Sequence, residues 1–171
     1  MLNIDIKAKK VIYLFLIIIT LFILDNSIVP FFAINNIYPS SLFVFMICYS
    51  IINGYTEAVI VGVFVGALQD VYFLNVIGIN MLINMFICLI AAKIGKNIFK
   101  EKSIIPIVST FLLSIIKSIG VFGILILLNI SNNFLSIIFY KAIYEMVIAL
   151  FIYKMILKFS ETKTIKKEWR F

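Results

Sequence analysis

The stretch that decides the fold is Ile104–Leu128, IIPIVSTFLLSIIKSIGVFGILILL, a long apolar run with one charged residue, Lys117, near its centre. A helix rises about 1.5 Å per residue and the hydrocarbon layer of a bilayer is about 30 Å thick, so this run is long enough to cross a membrane. Lys117 then lies near the midplane, where an unpaired ammonium group is costly. The stretch therefore predicts a membrane span whose lysine has a polar partner on another helix.

The composition extends this interpretation to the whole chain. Hydrophobic residues make up 64% and charged residues 13% of the 171 residues, against about 45–50% and about 25% in soluble domains. We expect one domain over residues 1–171, an all-α integral membrane protein of six transmembrane helices with short tails at 1–10 and 158–171. The predicted spans are Lys10–Val29, Pro39–Ile52, Thr56–Leu74, Gly78–Gly95, Ile104–Leu128 and Phe134–Leu157.

Basic residues lie at the ends of the apolar segments and predict the orientation of the chain. Lysines precede the first segment, separate the fourth from the fifth and follow the sixth, whereas the Asp25–Ser41 connection has no lysine or arginine. Because cytoplasmic loops are enriched in Lys and Arg, both termini are predicted to be cytoplasmic. The net charge of +7 then reflects topology, and the sequence shows no interleaved basic and aromatic face of the kind that binds nucleic acid.

Side chains that carry metals or acid–base chemistry are scarce. The chain has no histidine, the commonest metal ligand and general base. Cys48 and Cys88 lie inside apolar runs without C-x-x-C spacing, which is typical of buried hydrophobic cysteines. We therefore expect no metal, no cofactor and no enzymatic activity.

From the start of the third segment, every fourth residue is small, and the series ends in a carboxylate. The positions are Gly54, Ala58, Gly62, Gly66 and Asp70. Such positions form one narrow face of a helix, and small side chains let another helix approach closely in lipid. The approaching helix could belong to this chain or to a partner protein. Asp70 could cap the following turn, pair with an internal cation or contact a partner.

The sequence offers two candidate partners for Lys117. Glu145 lies as far from the predicted outer end of the sixth span as Lys117 lies from that of the fifth, ~16 Å in each case. Asp70 lies at a similar predicted depth. We expect an intramembrane ion pair of Lys117 with Glu145, with Asp70 as the alternative, because a lone charge in a low dielectric is strongly destabilising.

Several features together resemble the MreD family of rod shape-determining proteins across essentially the whole chain. They are Glu57, the pair Gly62 and Gly66, the run Gly66–Asp70, the run Gly78–Leu82, and Pro39 near the start of the second span. The resemblance implies a non-catalytic scaffold subunit of the cell-elongation (rod) complex, which supports cell shape and lateral peptidoglycan synthesis from the bacterial cytoplasmic membrane. It also implies contact with an MreC-like protein and, through it, with MreB, RodA and a class B penicillin-binding transpeptidase.

The same resemblance implies a fold similar to the substrate-binding subunits of energy-coupling-factor vitamin transporters, and such a subunit is the main alternative function. Asp70, Asn80, Lys117 and Glu145 could then bind a small ligand. The first span, Val11–Leu24, has no alanine and so lacks the Ala-x-x-x-Ala face typical of those subunits. A membrane enzyme is less favoured, because Asp70 and Glu145 lie in no catalytic motif.

Overall fold

The computed structural model of the protein describes residues 2–33, 37–72, 78–97, 104–127 and 135–160. These residues form six α-helices and one short 3-10 helix, which confirms the prediction of an all-α fold. The elements in chain order are α1 (Leu2–Ser27), the 3-10 helix (Val29–Phe32), α2 (Ser41–Asn53), α3 (Tyr55–Tyr72), α4 (Ile79–Asn97), α5 (Ile104–Leu127) and α6 (Leu135–Ser160).

Three of the helices contain a stretch that is long and apolar enough to cross a membrane: Lys9–Ser27 in α1, Ile79–Lys96 in α4 and Ile104–Ile124 in α5. The apolar helix α2 has only 13 residues, so it reaches ~20 Å and is shorter than the ~30 Å hydrocarbon layer. Among the described residues, α2, α3 and α6 contain no such stretch, so the structure supports three of the six predicted spans by length and composition, and α2 is the shortest of the six helices.

The short helix α2 is the centre of the bundle. Its residues Leu42 to Asn53 are all buried, and it packs against each of the other five α-helices. A helix that is hydrophobic around its whole circumference is typically buried in this way. At Gly95 of α4 the approach is so close that an added Cβ would lie 1.9 Å from the Ile51 carbonyl oxygen.

Both ends of α2 are defined by local chemistry. Ser40 is the N-cap, and its Oγ accepts a hydrogen bond of 3.1 Å from the backbone N–H of Phe43. At the other end Gly54 has a φ of +84°, a conformation that glycine adopts without steric cost. This glycine lets the chain turn directly from α2 into α3.

Helix α1 lies at the edge of the bundle, where only 6% of its span is buried. It is tied to α3 by a 2.6 Å ion pair between Lys10 and Glu57 and by the rings of Phe15 and Phe64, whose centroids are 5.6 Å apart. The Tyr49 hydroxyl of α2 also donates to Glu57. The remaining faces of α1, α5 and α6 expose large apolar side chains, as expected where lipid replaces water.

Candidate functional site

The small-residue face of α3 packs against α4 of the same chain. A Cβ built on Gly62 would lie 2.9 Å from the Asn84 carbonyl oxygen, and one built on Gly66 would lie 2.3 Å from the Met81 Cα. Ala58 on the same face is fully buried. The glycines therefore permit a close approach of two backbones, and the helix that occupies this face is an internal one.

Asp70, at the end of that face, caps α4. Its carboxylate accepts hydrogen bonds from the backbone N–H groups of Gly78 (2.9 Å), Asn80 (3.0 Å) and Met81 (3.1 Å), and from Asn80 Nδ2 (3.0 Å). The first amides of a helix have no partners within the helix, and its dipole is positive at this end. Of the roles considered for Asp70, the structure shows the capping role.

Asp25 caps α2 in the same manner, a role that the sequence analysis missed. Its carboxylate accepts hydrogen bonds of 2.9 Å each from Ser40 Oγ and from the backbone N–H groups of Ser41 and Leu42. The sequence signal for this role was the parallel with Asp70. Each aspartate lies in the last turn of one helix, and a connection and a further helix follow it. The sequence placed Asp25 at the start of the Asp25–Ser41 connection, whereas it lies in the last turn of α1.

Glu145 of α6 reaches the same end of α2. Its Oε1 accepts a hydrogen bond of 3.3 Å from the backbone N–H of Ser40. The residue is only 1% exposed, and its Oε2 is buried without a hydrogen-bond partner among the residues described. The amino end of α2 therefore lies between the carboxylates of Asp25 and Glu145.

Lys117 takes a partner that the sequence analysis did not consider. Its ammonium donates a hydrogen bond of 2.8 Å to Gln69 Oε1 and lies 4.5 Å from the ring centroid of Phe43, a cation–π distance. Gln69 Oε1 also accepts a bond of 2.9 Å from Asn84 Nδ2. Gln69 of α3 thus joins Asn84 of α4 and Lys117 of α5 through one oxygen atom.

The structure therefore corrects the predicted direct contact between Lys117 and Glu145. Asp70 and Glu145 both lie within Coulombic range of Lys117, yet within the described ranges neither carboxylate is a direct partner of its ammonium. The physical reason is the central position of α2. Its amino end supplies N–H donors to Glu145, and its Phe43 ring lies beside the Lys117 ammonium.

These groups share one depth in the bundle, which we call the polar layer: Asp25, Ser40, Asp70, Lys117 and Glu145. Ser40 bonds to both Asp25 and Glu145, and Lys117 lies within Coulombic range of both Asp70 and Glu145. Exposed irregular backbone is not tolerated at such a depth in lipid unless protein groups satisfy it. The capping carboxylates of the layer do so for the amino ends of α2 and α4.

A double-mutant cycle tests which partner Lys117 uses. We expect Lys117→Met and Gln69→Leu to be non-additive by about 0.5–3 kcal/mol, the range for residues in direct contact. The coupling of Lys117→Met with Glu145→Gln should be smaller, because that interaction acts at longer range. The measurement is thermal unfolding in detergent, followed by a thiol-reactive dye that reports exposure of the buried Cys48 and Cys88. A larger coupling energy with Glu145 than with Gln69 would contradict the described contact and support the ion pair predicted from the sequence.

The described part of the chain contains no group of three or more His, Cys, Asp or Glu residues that could hold a metal ion. No curated protein and no solved structure matches the chain. The family model described as rod shape-determining protein MreD matches residues 8–163, which is most of the chain. The chain therefore belongs to the MreD family of rod shape-determining membrane proteins.

Proposed function

We propose that this protein is a non-catalytic scaffold subunit of the bacterial cell-elongation (rod) complex, resident in the cytoplasmic membrane. Membership of a rod shape-determining family supports the general role. The observation that supports the scaffold role is that most of the polar layer is bonded internally: Asp70 accepts its hydrogen bonds from Gly78 and the start of α4, and Lys117 and Asn84 both donate to Gln69, whereas Glu145 Oε2 is without a partner among the described residues. What the bundle offers to its surroundings is apolar helix surface.

The same bonds argue against the vitamin-transporter alternative. A ligand site would use Asp70, Asn80, Lys117 and Glu145, but Asp70 and Asn80 bond to each other through two hydrogen bonds of 3.0 Å. The Asp70 carboxylate is thus already engaged in capping α4, and the Lys117 ammonium is engaged with Gln69. The resemblance of the fold to those transporter subunits stays a prediction.

The proposed topology is a multi-pass bundle of six spans with both termini in the cytoplasm. Lysines mark both ends of the chain and the connection between α4 and α5, as positive-inside orientation requires. In this arrangement α2, although short, crosses the remaining depth together with the extended segment that precedes it. Asn36, Asn132 and Thr164, which suit a test of this topology, lie outside the described residues.

Cysteine labelling checks this topology. Single cysteines at Asn36, Asn132 and Thr164, in a background without Cys48 and Cys88, are treated on intact cells with a thiol reagent that does not cross the membrane. We expect labelling at positions 36 and 132 and protection at position 164 until the cells are permeabilised. Labelling of intact cells at position 164 but not at 36 would contradict the topology.

The proposed partners are an MreC-like protein in direct contact and, through it, MreB, RodA and a class B penicillin-binding transpeptidase. Packing between helices in lipid is driven by close contact and not by hydrophobicity, so the exposed faces of the peripheral helices are the surfaces available to another protein. These partners rest on the family resemblance.

Depletion in the native host, with mild-detergent purification of the tagged protein, tests the proposed function. The expected result is a change from rods to rounded cells, rescued by the wild-type gene, together with recovery of an MreC-like protein. Cells that remain rod-shaped after complete depletion would contradict the role in shape. Loss of rod shape combined with recovery of an ATPase pair or a bound vitamin would contradict the scaffold role and favour a transporter subunit.

A further inference from the structure

The segment between α1 and α2 exposes three large apolar side chains. Phe31 is 87% exposed, Phe32 65% and Ile28 48%. They lie in and just before the 3-10 helix Val29–Phe32, which immediately follows a candidate membrane span. In water, adjacent phenylalanines this exposed would be unfavourable, because the removal of apolar surface from water is favourable in proportion to its area.

Several backbone groups of this segment are hydrogen-bonded within the protein. The N–H of Ile28 donates to the Leu24 carbonyl (2.9 Å) and that of Phe31 to the Ile28 carbonyl (3.1 Å). Pro30 has no N–H group, and its carbonyl accepts from the N–H of Ala33 (3.3 Å).

The Phe32 carbonyl completes this pattern, since it accepts a hydrogen bond of 3.0 Å from the Tyr144 hydroxyl of α6. Non-helical backbone can lie at membrane depth only when its polar groups are paired in this way. These bonds lower the number of backbone polar groups that contact with lipid would leave unpaired.

Two independent counts give the depth of the segment. Along α1 the distance from Lys10 to Ser27 is ~26 Å, and along α6 the distance from Leu157 up to Tyr144 is ~20 Å. Both distances are less than the ~30 Å thickness of the hydrocarbon layer. Tyr144 precedes Glu145 in the chain, so the hydrogen bond between Tyr144 and Phe32 holds the 3-10 helix beside the polar layer.

We propose that residues 28–32 are embedded in the outer leaflet, with Phe31 and Phe32 in contact with lipid acyl chains. The segment is then a membrane anchor that holds the connection to α2 against α6, beside the Asp25 and Glu145 carboxylates. The exposure of the two rings, the paired backbone and the continuity with the apolar surface of α1 all favour lipid as the occupant. The proposal requires that α1 spans the membrane and is independent of the scaffold role.

Tryptophan fluorescence tests the proposal. Trp169 is the single tryptophan of the chain, so Trp169→Phe gives a silent background for Phe31→Trp and, separately, Phe32→Trp. Each full-length variant is reconstituted into phosphatidylcholine vesicles with or without brominated acyl chains. Leu112→Trp on the exposed face of α5 is the lipid-facing control, and free N-acetyltryptophanamide is the aqueous control.

We expect blue-shifted emission at positions 31 and 32, with quenching by brominated lipid at least half that of the Leu112→Trp control and little quenching by acrylamide. Red-shifted emission that acrylamide quenches would place the segment in water and overturn the proposal. Protection from both quenchers would also overturn it, because the rings would then be covered by a second copy of the chain. If Phe31→Trp does not fold, Phe32→Trp gives the same decision.

Discussion

Gly66→Leu is expected to prevent the bundle from folding into a stable, monodisperse form in detergent. An added Cβ at this position would lie 2.3 Å from the Met81 Cα and 2.6 Å from its backbone nitrogen, and neither backbone atom can move without separating α3 from α4. We expect a loss at or above the upper end of the ~1–3 kcal/mol range for overpacking. The measurement is membrane expression, size-exclusion elution and the thiol-dye unfolding midpoint.

The matched control is Gly123→Leu in α5. Gly123 is exposed and has no atom within 4 Å of a built Cβ, so the same substitution should leave the unfolding midpoint close to the wild-type value. Gly62→Ala should fall between the two: its Cβ would lie 2.8 Å from Cys88 Sγ, which can shift, and 2.9 Å from the Asn84 carbonyl oxygen, a less severe backbone contact than the 2.3 Å at Gly66. A Gly66→Leu protein as stable as the control would mean that the α3–α4 contact is not as described.

Asp70→Ala is expected to have the second large effect, because it removes the cap of α4 in a buried place. Three backbone N–H groups, those of Gly78, Asn80 and Met81, would lose their acceptor. Each buried donor left unpaired costs about 1–3 kcal/mol, so we expect a loss of about 3 kcal/mol or more. The expected observation is a lower unfolding midpoint and faster amide exchange in the first turn of α4.

Asp70→Asn and Glu57→Gln separate capping from charge. Asp70→Asn keeps one acceptor oxygen and should recover part of the stability lost in the alanine variant. Glu57→Gln removes the carboxylate that pairs with Lys10. The Lys10 side chain is 17% exposed and the Glu57 side chain 38%, and exposed pairs contribute about 0–1 kcal/mol. If Asp70→Ala proved no more destabilising than Glu57→Gln, the capping role of Asp70 would be refuted.

The sequence predicted best those elements whose limits depend on local signals. Helix α5 was predicted as Ile104–Leu128 and is described as Ile104–Leu127, because a continuous apolar run defines its ends. The close-packed positions Ala58, Gly62 and Gly66 of α3 were also predicted from spacing, but Gly54, predicted for the same face, lies before α3 and ends α2. The occupant of this face was left open, since spacing shows that a helix can approach but does not identify which one.

The sequence could not predict the relations that depend on three-dimensional packing. The second span was drawn as Pro39–Ile52, whereas α2 begins at Ser41, because Asp25 and Glu145 supply the cap from two other helices. The partner of Lys117 was missed for a similar reason. The predicted distances from the ends of the spans placed Lys117, Glu145 and Asp70 at a similar depth. They did not include the neutral Gln69, and they did not show that α2 lies at the centre of the bundle.

The dependence of α2 on Glu145 has a consequence for biogenesis. Ser40 and Glu145 are separated by 105 positions in the chain, so the last helix must leave the ribosome before the amino end of α2 can acquire its full set of contacts. A 13-residue helix is also too short to be retained in the bilayer as an independent span. During synthesis the Ser40 and Asp25 caps of α2 can therefore form first, and the contact with Glu145 can be added only after α6 has been made.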